Sequence, residues 1–313
     1  MNTVYFMIPA SPNDGFLSQI AAFRRSVDSA LWRRWRPRVT AFFAEEFDPA
    51  VLARWYPHLQ DMDLVFRDRR LFTEHRYFAQ GDSRMSMVPA DADALVLVDA
   101  DTFVAGDLED MLDEVYAKDA LAGVQAHYPF PRKDRSASAD PWAEVEGLVS
   151  EPLRRDHRYL FPPRPSDPDD PEAWKCPFYI NFGVLAGSAL AIRRIFPLYR
   201  RYRQLVSERL DGSFFAAQIG FALAVAESGA RTISLPIAYN YPNDPVADAT
   251  YPDQMRDIRI LHYLRKTTFD RQKVFANAET YRGFMEMELS GSNALFRDMV
   301  AERLGRDYPF PAA

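Results

Sequence analysis

Cysteine is almost missing from this chain: Cys176 is the single thiol among 313 residues. One thiol excludes an internal disulfide and fits a reducing compartment. A lone cysteine of this kind is expected as a small buried residue rather than a nucleophile. Long hydrophobic runs are missing too, since no window approaches the roughly 20 apolar residues that cross a bilayer. The opening Met1-Asn2-Thr3-Val4-Tyr5-Phe6-Met7-Ile8-Pro9 carries no basic segment before its short apolar run. It reads as a first strand rather than a signal peptide. Together these features predict a cytoplasmic protein, at most peripheral to the inner face of a membrane. Positive charge is not in excess either: 38 basic against 44 acidic side chains give a net charge of −6. Bulk electrostatics therefore argue against a nucleic-acid partner. Internal repeats are absent.

What is present is core material. Hydrophobic residues make up 48% of the chain and aromatics 14%, ample for a large packed interior. The length permits up to about two domains, although α/β folds of this size often form one unit. Apolar runs predict strands at Val4–Ile8, Arg38–Phe43, Met62–Phe66, Ala94–Val98, Leu121–Ala126, Phe178–Ala186, Thr232–Tyr239 and Arg259–Tyr263. Helices are expected between them, at Phe16–Leu31, Pro49–Tyr56, Tyr77–Met87, Asp107–Lys118, Ala189–Leu210 and Ser213–Ser228, with two more closing the chain. The first shows Phe16, Ile20, Phe23 and Val27 at spacings of three and four. Alternation on this scale implies an α/β fold, a mostly parallel sheet with helices on both faces. From Tyr128 to Lys175 the character changes, with nine of the 23 prolines in that stretch. It reads as an insertion, about 128–175, with a short helix around Ala143 to Leu153 overhanging the site. Arg24, Arg25, Arg33, Arg34, Arg36 and Arg38, mixed with Trp32 and Trp35, form a basic stretch that fits either peripheral membrane contact or a solvated helix end.

The chemistry concentrates at Ala94-Leu95-Val96-Leu97-Val98-Asp99-Ala100-Asp101-Thr102-Phe103-Val104. A buried strand stops on two carboxylates one residue apart. Side chains two apart on an extended chain leave the same face, so Asp99 and Asp101 converge if the strand geometry persists. In an open α/β sheet, ligands bind outside the carboxyl ends of the strands. Two adjacent anions repel, and a hard divalent cation is the usual relief. Capping a turn is the plainer role for such acids, but Asp107 already looks like the N-cap of the next helix. The paired acids are left without a structural job.

In this order the pieces resemble the nucleotide-sugar glycosyltransferases of the GT-A fold, in particular the glycogenin-like and bacterial galactosyltransferase-like group. Leu97-Val98-Asp99-Ala100-Asp101-Thr102 is similar to that family's DxD motif. Tyr179-Ile180-Asn181-Phe182-Gly183-Val184-Leu185 resembles its Tyr-Phe-Asn-Ser-Gly-Val segment. Phe215-Ala216-Ala217-Gln218 stands where the family has an Asp-Gln pair, and Ile260-Leu261-His262-Tyr263 resembles the late strand whose His completes the metal site. The departures are Ala217 for Asp, Phe182 for Ser, and Leu264-Arg265-Lys266 for a Gly-x-x-Lys-Pro-Trp ending. The likeness implies a catalytic domain over residues 1–265 and a C-terminal helical extension, 266–313, packed on it.

It also implies a reaction: transfer of a sugar from a nucleoside diphosphate, with UDP expected, to an acceptor hydroxyl on a saccharide, glycolipid or protein. Asp101 and His262 are the implied direct ligands of Mn²⁺ or Mg²⁺, with Asp99 on the metal and on sugar or ribose hydroxyls. Arg84 is implied to face the diphosphate, where its fork suits phosphate, and Arg265 or Lys266 are alternatives. Pro9-Ala10-Ser11 is expected to wall base and ribose through backbone groups. Asn181 and Gln218 are amides in apolar surroundings, either structural or lining the sugar pocket, with Gln218 on the reacting face. No clear base for inversion stands out, Asp169, Asp170 and Asp244 being the candidates, so retention is favoured. Two other readings compete: a degenerate, non-catalytic sugar-binding subunit, suggested by Ala217, and an Asp-dependent phosphohydrolase, whose acid pair normally sits on a first strand.

Overall fold

Ala94–Val98 is an apolar pentapeptide with every residue buried, and the main sheet is built around it. The structure, a computed structural model, describes residues 1–43, 48–68, 77–130, 140–161 and 174–310, with backbone alone for 77–81. In chain order come β1 (Asn2–Pro9), α1 (Asp14–Asp28), β2 (Trp35–Phe43), α2 (Pro49–Trp55), β3 (Asp63–Phe66) and α3 (Tyr77–Ser86). Then follow β4 (Ala94–Val98), β5 (Thr102–Val104), α4 (Glu109–Lys118), β6 (Leu121–Gln125), and the two-residue strands β7 (His157–Arg158) and β8 (Lys175–Cys176). The second half holds β9 (Ile180–Ser188), α5 (Ala189–Arg209), α6 (Ala216–Ser228), β10 (Thr232–Ser234), β11 (Tyr241–Pro242), α7 (Pro245–Thr250) and α8 (Pro252–Met255). It closes with β12 (Ile260–His262), α9 (Ala278–Glu286) and α10 (Gly291–Leu304).

The main sheet has the order β10-β6-β9-β4-β1-β2-β3. Its pairs are parallel except where β9 runs antiparallel between β4 and β6. The period of two is visible in the packing. Val4, Phe6, Ile8, Ala94, Val96 and Val98 enter one core, while Tyr5, Met7, Leu95 and Leu97 enter the other. The first core is covered by α1 and the C-terminal helices, the second by α5 and α6. A strand buried on both faces reads as a continuous apolar run, which is why β1 and β4 stood out. The expected α/β class and mostly parallel mixed sheet with flanking helices hold.

Several boundaries differ, each for a local reason. The first helix stops at Asp28, with Ser29 as C-cap, and β2 begins three residues earlier than Arg38 because Trp35 already pairs with Asn2. The short helix expected at 143–153 is two 3₁₀ turns, Pro141–Glu144 and Glu146–Leu148. The strand expected to reach Tyr239 stops at Ser234; Pro236 brings no N–H, and Ile237–Asn240 turns as a 3₁₀ helix. Residues 94–104 are not one strand but two. Thr102 Oγ1 donates to the Asp99 carbonyl at 2.7 Å, and the turn this closes sends β5 out of the main sheet. There it pairs with β12 in a three-stranded sheet of order β11-β12-β5. Asp169 and Asp170 lie outside the described residues.

The basic stretch at the end of α1 and beyond it keeps the side chains of Arg33, Arg34, Arg36 and Arg38 exposed, while its backbone is tied inward. Buried Glu109 accepts the backbone N–H groups of Arg33, Arg34 and Trp35 at 2.6–3.0 Å. Arg34 also pairs with Asp110 and Asp113, and Arg24 with Asp28. Asp107, expected as the N-cap of α4, sits one residue before that position: Leu108 is the N-cap, and Asp107 Oδ1 accepts from Glu109 N at 2.8 Å. Among the described residues no helix is long and apolar enough to cross a membrane. Cys176 is buried, and that burial pushes its thiol up to about 12. At the C-terminal end, Tyr263 stacks on Phe296 of α10 at 4.5 Å, and the Arg303 guanidinium donates to the Val104 and Ala105 carbonyls.

Candidate metal centre

Three strands converge on one point. Asp99 follows β4, and its N–H donates to Gly183 O of β9 at 3.0 Å, which fixes the exit from the sheet. The turn then carries Asp101 to the head of β5, where antiparallel pairing sets His262 opposite Thr102. His262 Nε2 lies 3.3 Å from Asp101 Oδ1 and 4.0 Å from Asp99 Oδ2. The three ligand atoms all fall within 4.8 Å of one another. The sharp turn, rather than a continuing strand, is what brings the carboxylates and the imidazole together.

The imidazole is held in a definite orientation. Its Nδ1 lies 3.0 Å from Asn240 Oδ1, and Asn240 Nδ2 donates to the carbonyl and side-chain oxygens of Asn181 at 3.3 Å. With the Asn240 amide oxygen as acceptor, Nδ1 donates and Nε2 is the nitrogen turned toward the acids. Gly183 makes room: a Cβ there would sit 2.3 Å from His262 Cε1 and Nδ1. Oxygen, oxygen and imidazole nitrogen at this spacing form a donor set that suits Mn²⁺ or Mg²⁺. The residues present therefore fit such a cation.

Two guanidiniums flank the acids. Arg84 of α3 is buried; its Nη1 donates to Val98 O and to Asp99 Oδ1, both at 3.2 Å, and Nη2 to Phe182 O at 3.4 Å. Arg271 donates Nη1 to Asp101 Oδ2 and to Leu264 O. Desolvation raises the Asp99 carboxyl above its ordinary range against the pull of Arg84, and the Asp101 charge adds to the rise. At Asp101 desolvation acts the same way, but His262 and Arg271 outweigh it and hold the carboxyl low. The two acids are thus pushed apart, the inner one the firmer anion. Nearby, His127 stacks on Phe161 at 4.6 Å; burial first, then Arg265 and His262, push it down to about 3, so it stays neutral.

The other expected residues are distributed unevenly. Asn181 adjoins the centre through Asn240 and accepts from Gly183 N at 2.9 Å. Gln218 lies half-buried in the first turn of α6. Pro9, Ala10 and Ser11 follow β1, with Ala10 N donating to Phe42 O at 3.0 Å. Lys266 is exposed, and Arg265 is engaged by Asp244, at 2.6 Å from Nη2. Sequence reasoning missed three contributors. Asn240 lies just past the strand expected at Thr232–Tyr239, the room at Gly183 follows from the register, and Arg271 meets Asp101 across 170 positions with no motif to mark it.

No family model matches the chain, and no curated protein matches it in sequence. Solved structures do match in shape. The galactosyltransferase LgtC, in complex with donor and acceptor sugar analogues, aligns with a TM-score of 0.52 at 14% identity, over 84% of this chain and 87% of that one. The bifunctional glycosyltransferase WbbM gives 0.54 at 15% identity, over 97% of this chain and 51% of that one. Mouse xyloside xylosyltransferase 1 gives 0.50 at 14% identity, over 85% and 98%. This chain has the GT-A fold. In that frame the acid pair, following the central strand β4 rather than a first strand, does not suit the phosphohydrolase alternative. The GT-A sheet ends where Asp99, Asp101 and His262 meet.

Proposed function

We propose that the protein is a divalent-cation-dependent glycosyltransferase. It moves a hexosyl group from a nucleoside-diphosphate sugar, UDP being the expected nucleotide, to an acceptor hydroxyl on a saccharide, glycolipid or protein. The observation that carries this reading is the Asp99–Asp101–His262 cluster at the carboxyl end of β4 in a GT-A fold. Breaking the glycosidic bond leaves negative charge on the departing diphosphate, and a bound Mn²⁺ or Mg²⁺ supplies Lewis-acid stabilisation of that charge. Asp101 and His262 Nε2 would hold the ion, and Asp99 would share it or bind sugar hydroxyls. Asn240 keeps the His262 ring aligned. Pro9, Ala10 and Ser11 are assigned to the base and ribose, Asn181 and Gln218 to the sugar pocket, and Lys266 to the diphosphate from outside.

Retention is the favoured course, supported by the state of Asp244, the candidate base that lies within the described residues. Asp244 is already engaged: it caps α7 through Val246 N at 2.9 Å and pairs with Arg265. A front-side displacement, in which the departing phosphate takes the acceptor's proton, needs no further base. The test is a panel of nucleotide-sugars screened for Mn²⁺-dependent hydrolysis and transfer, repeated with Asp101→Ala. Loss of nearly all turnover is expected in the variant, while unchanged turnover refutes the assignment. Binding of the donor without any turnover would favour a non-catalytic subunit.

A further inference from the structure

Two carboxylates meet two guanidiniums at this centre, so the charge that would attract a cation is already balanced inside the protein. The two arginines are held differently. Arg84 is buried, tied to two backbone carbonyls as well as to Asp99, and its guanidinium lies 5.8 Å from the Phe182 ring centre. Arg271 is half-exposed on the connection between β12 and α9, and beyond Asp101 it reaches the Leu264 carbonyl at 3.2 Å. It grips Oδ2 of Asp101, while Oδ1 of the same carboxylate faces His262. A divalent ion joining Asp101 meets the full positive charge of Arg271 a few ångströms away. A planar guanidinium beside a cation site also matches a diphosphate, which takes it through two oxygens at once.

We propose that Arg271 is an exchangeable counter-charge: it neutralises Asp101 in the free protein and moves to the diphosphate when nucleotide and cation enter together. This rests on the nucleotide-sugar reading above. Its consequence is reciprocal coupling, in which the cation alone binds weakly and each ligand tightens the other. Arg265, engaged by Asp244, and Arg84, engaged by backbone, are not free to exchange in this way.

The test titrates Mn²⁺ into the full chain by electron paramagnetic resonance, with and without UDP, for wild type, Arg271→Gln and Arg271→Lys. Near-UV circular dichroism checks that each variant is folded. Without nucleotide, Arg271→Gln should bind Mn²⁺ about tenfold more tightly than wild type, with Arg271→Lys close to wild type. With Mn²⁺ present, Arg271→Gln should bind UDP about tenfold more weakly, which removes most of the coupling. Unchanged or weaker manganese binding by folded Arg271→Gln overturns the proposal, because Arg271 would then support the ligand rather than compete for it. Unchanged UDP affinity overturns it as well. Failure of the donor reading looks different: wild type then takes up Mn²⁺ but no nucleoside diphosphate, and tighter manganese binding by Arg271→Gln still supports the competition.

Discussion

Gly183→Ala tests whether His262 is a ligand without touching a ligand. Gly183 lies in the middle of the main sheet, with its carbonyl accepting Asp99 N–H and its own N–H bonded to Asn181 Oδ1, so its backbone cannot retreat. The new methyl would stand 2.3 Å from Cε1 and Nδ1 of His262. That is more than about 1 Å short of ordinary carbon contact, so the imidazole must move. Moving it breaks the 3.0 Å bond to Asn240 and carries Nε2 away from Asp101. Overpacking of this kind costs about 1–3 kcal/mol, a fall of several degrees in the thermal midpoint of a chain this size. The effect on the metal should be larger, with Mn²⁺ affinity down by about 10- to 100-fold or more, as when outer partners of metal-bound imidazoles are lost. Gly187→Ala is the control. It sits about 13 Å further along β9. Its methyl would press on Ile192 and Leu121 side chains at 2.9–3.0 Å, disturbing the core alone. Folded Gly183→Ala that binds Mn²⁺ as wild type does would refute His262 as a ligand.

Asn240→Ala removes the acceptor for the His262 Nδ1–H and frees the ring to rotate, so Mn²⁺ affinity measured by calorimetry should fall about 10- to 100-fold with the fold retained. A second prediction concerns pH and stability. Burial of Glu109 favours its neutral form, but the Arg34, Arg33 and Trp35 N–H groups outweigh that and hold its carboxyl below the ordinary 4.5. A lowered folded value means stability that is present above about pH 4.5 and lost as pH falls through the folded value. Glu109→Gln should therefore melt lower than wild type at pH 7 and lose less on acidification between pH 5 and about 3, as followed by circular dichroism. Equal acid slopes in the two proteins would show that Glu109 is not the anion these N–H groups hold.

Much of the frame was legible because β1 and β4 are buried on both faces, which leaves a continuous apolar run ending abruptly in charge. The acids of Asp99-Ala100-Asp101 stood out for the same reason, being polar groups where the apolar pattern stops. Their convergence was expected for the wrong cause: an extended strand would align them, whereas a turn closed by Thr102 does so. His262 could be placed only through the family likeness, since nothing within Ile260–His262 separates a ligand from a buried histidine. Asn240 was hidden by Pro236, which ended the strand early and rolled the next residues into a 3₁₀ turn. Arg271 was illegible because its role is a contact between distant loops, and no local pattern encodes such a meeting.

On the proposed function, a cation held by Asp99, Asp101 and His262 would carry the diphosphate of the donor. Anomalous diffraction from crystals grown with Mn²⁺ and UDP addresses it directly. A manganese peak is expected between Asp101, His262 Nε2 and the diphosphate oxygens, with Arg271 turned from Asp101 to phosphate. A peak elsewhere, or UDP bound with no metal between these three side chains, would contradict the proposal.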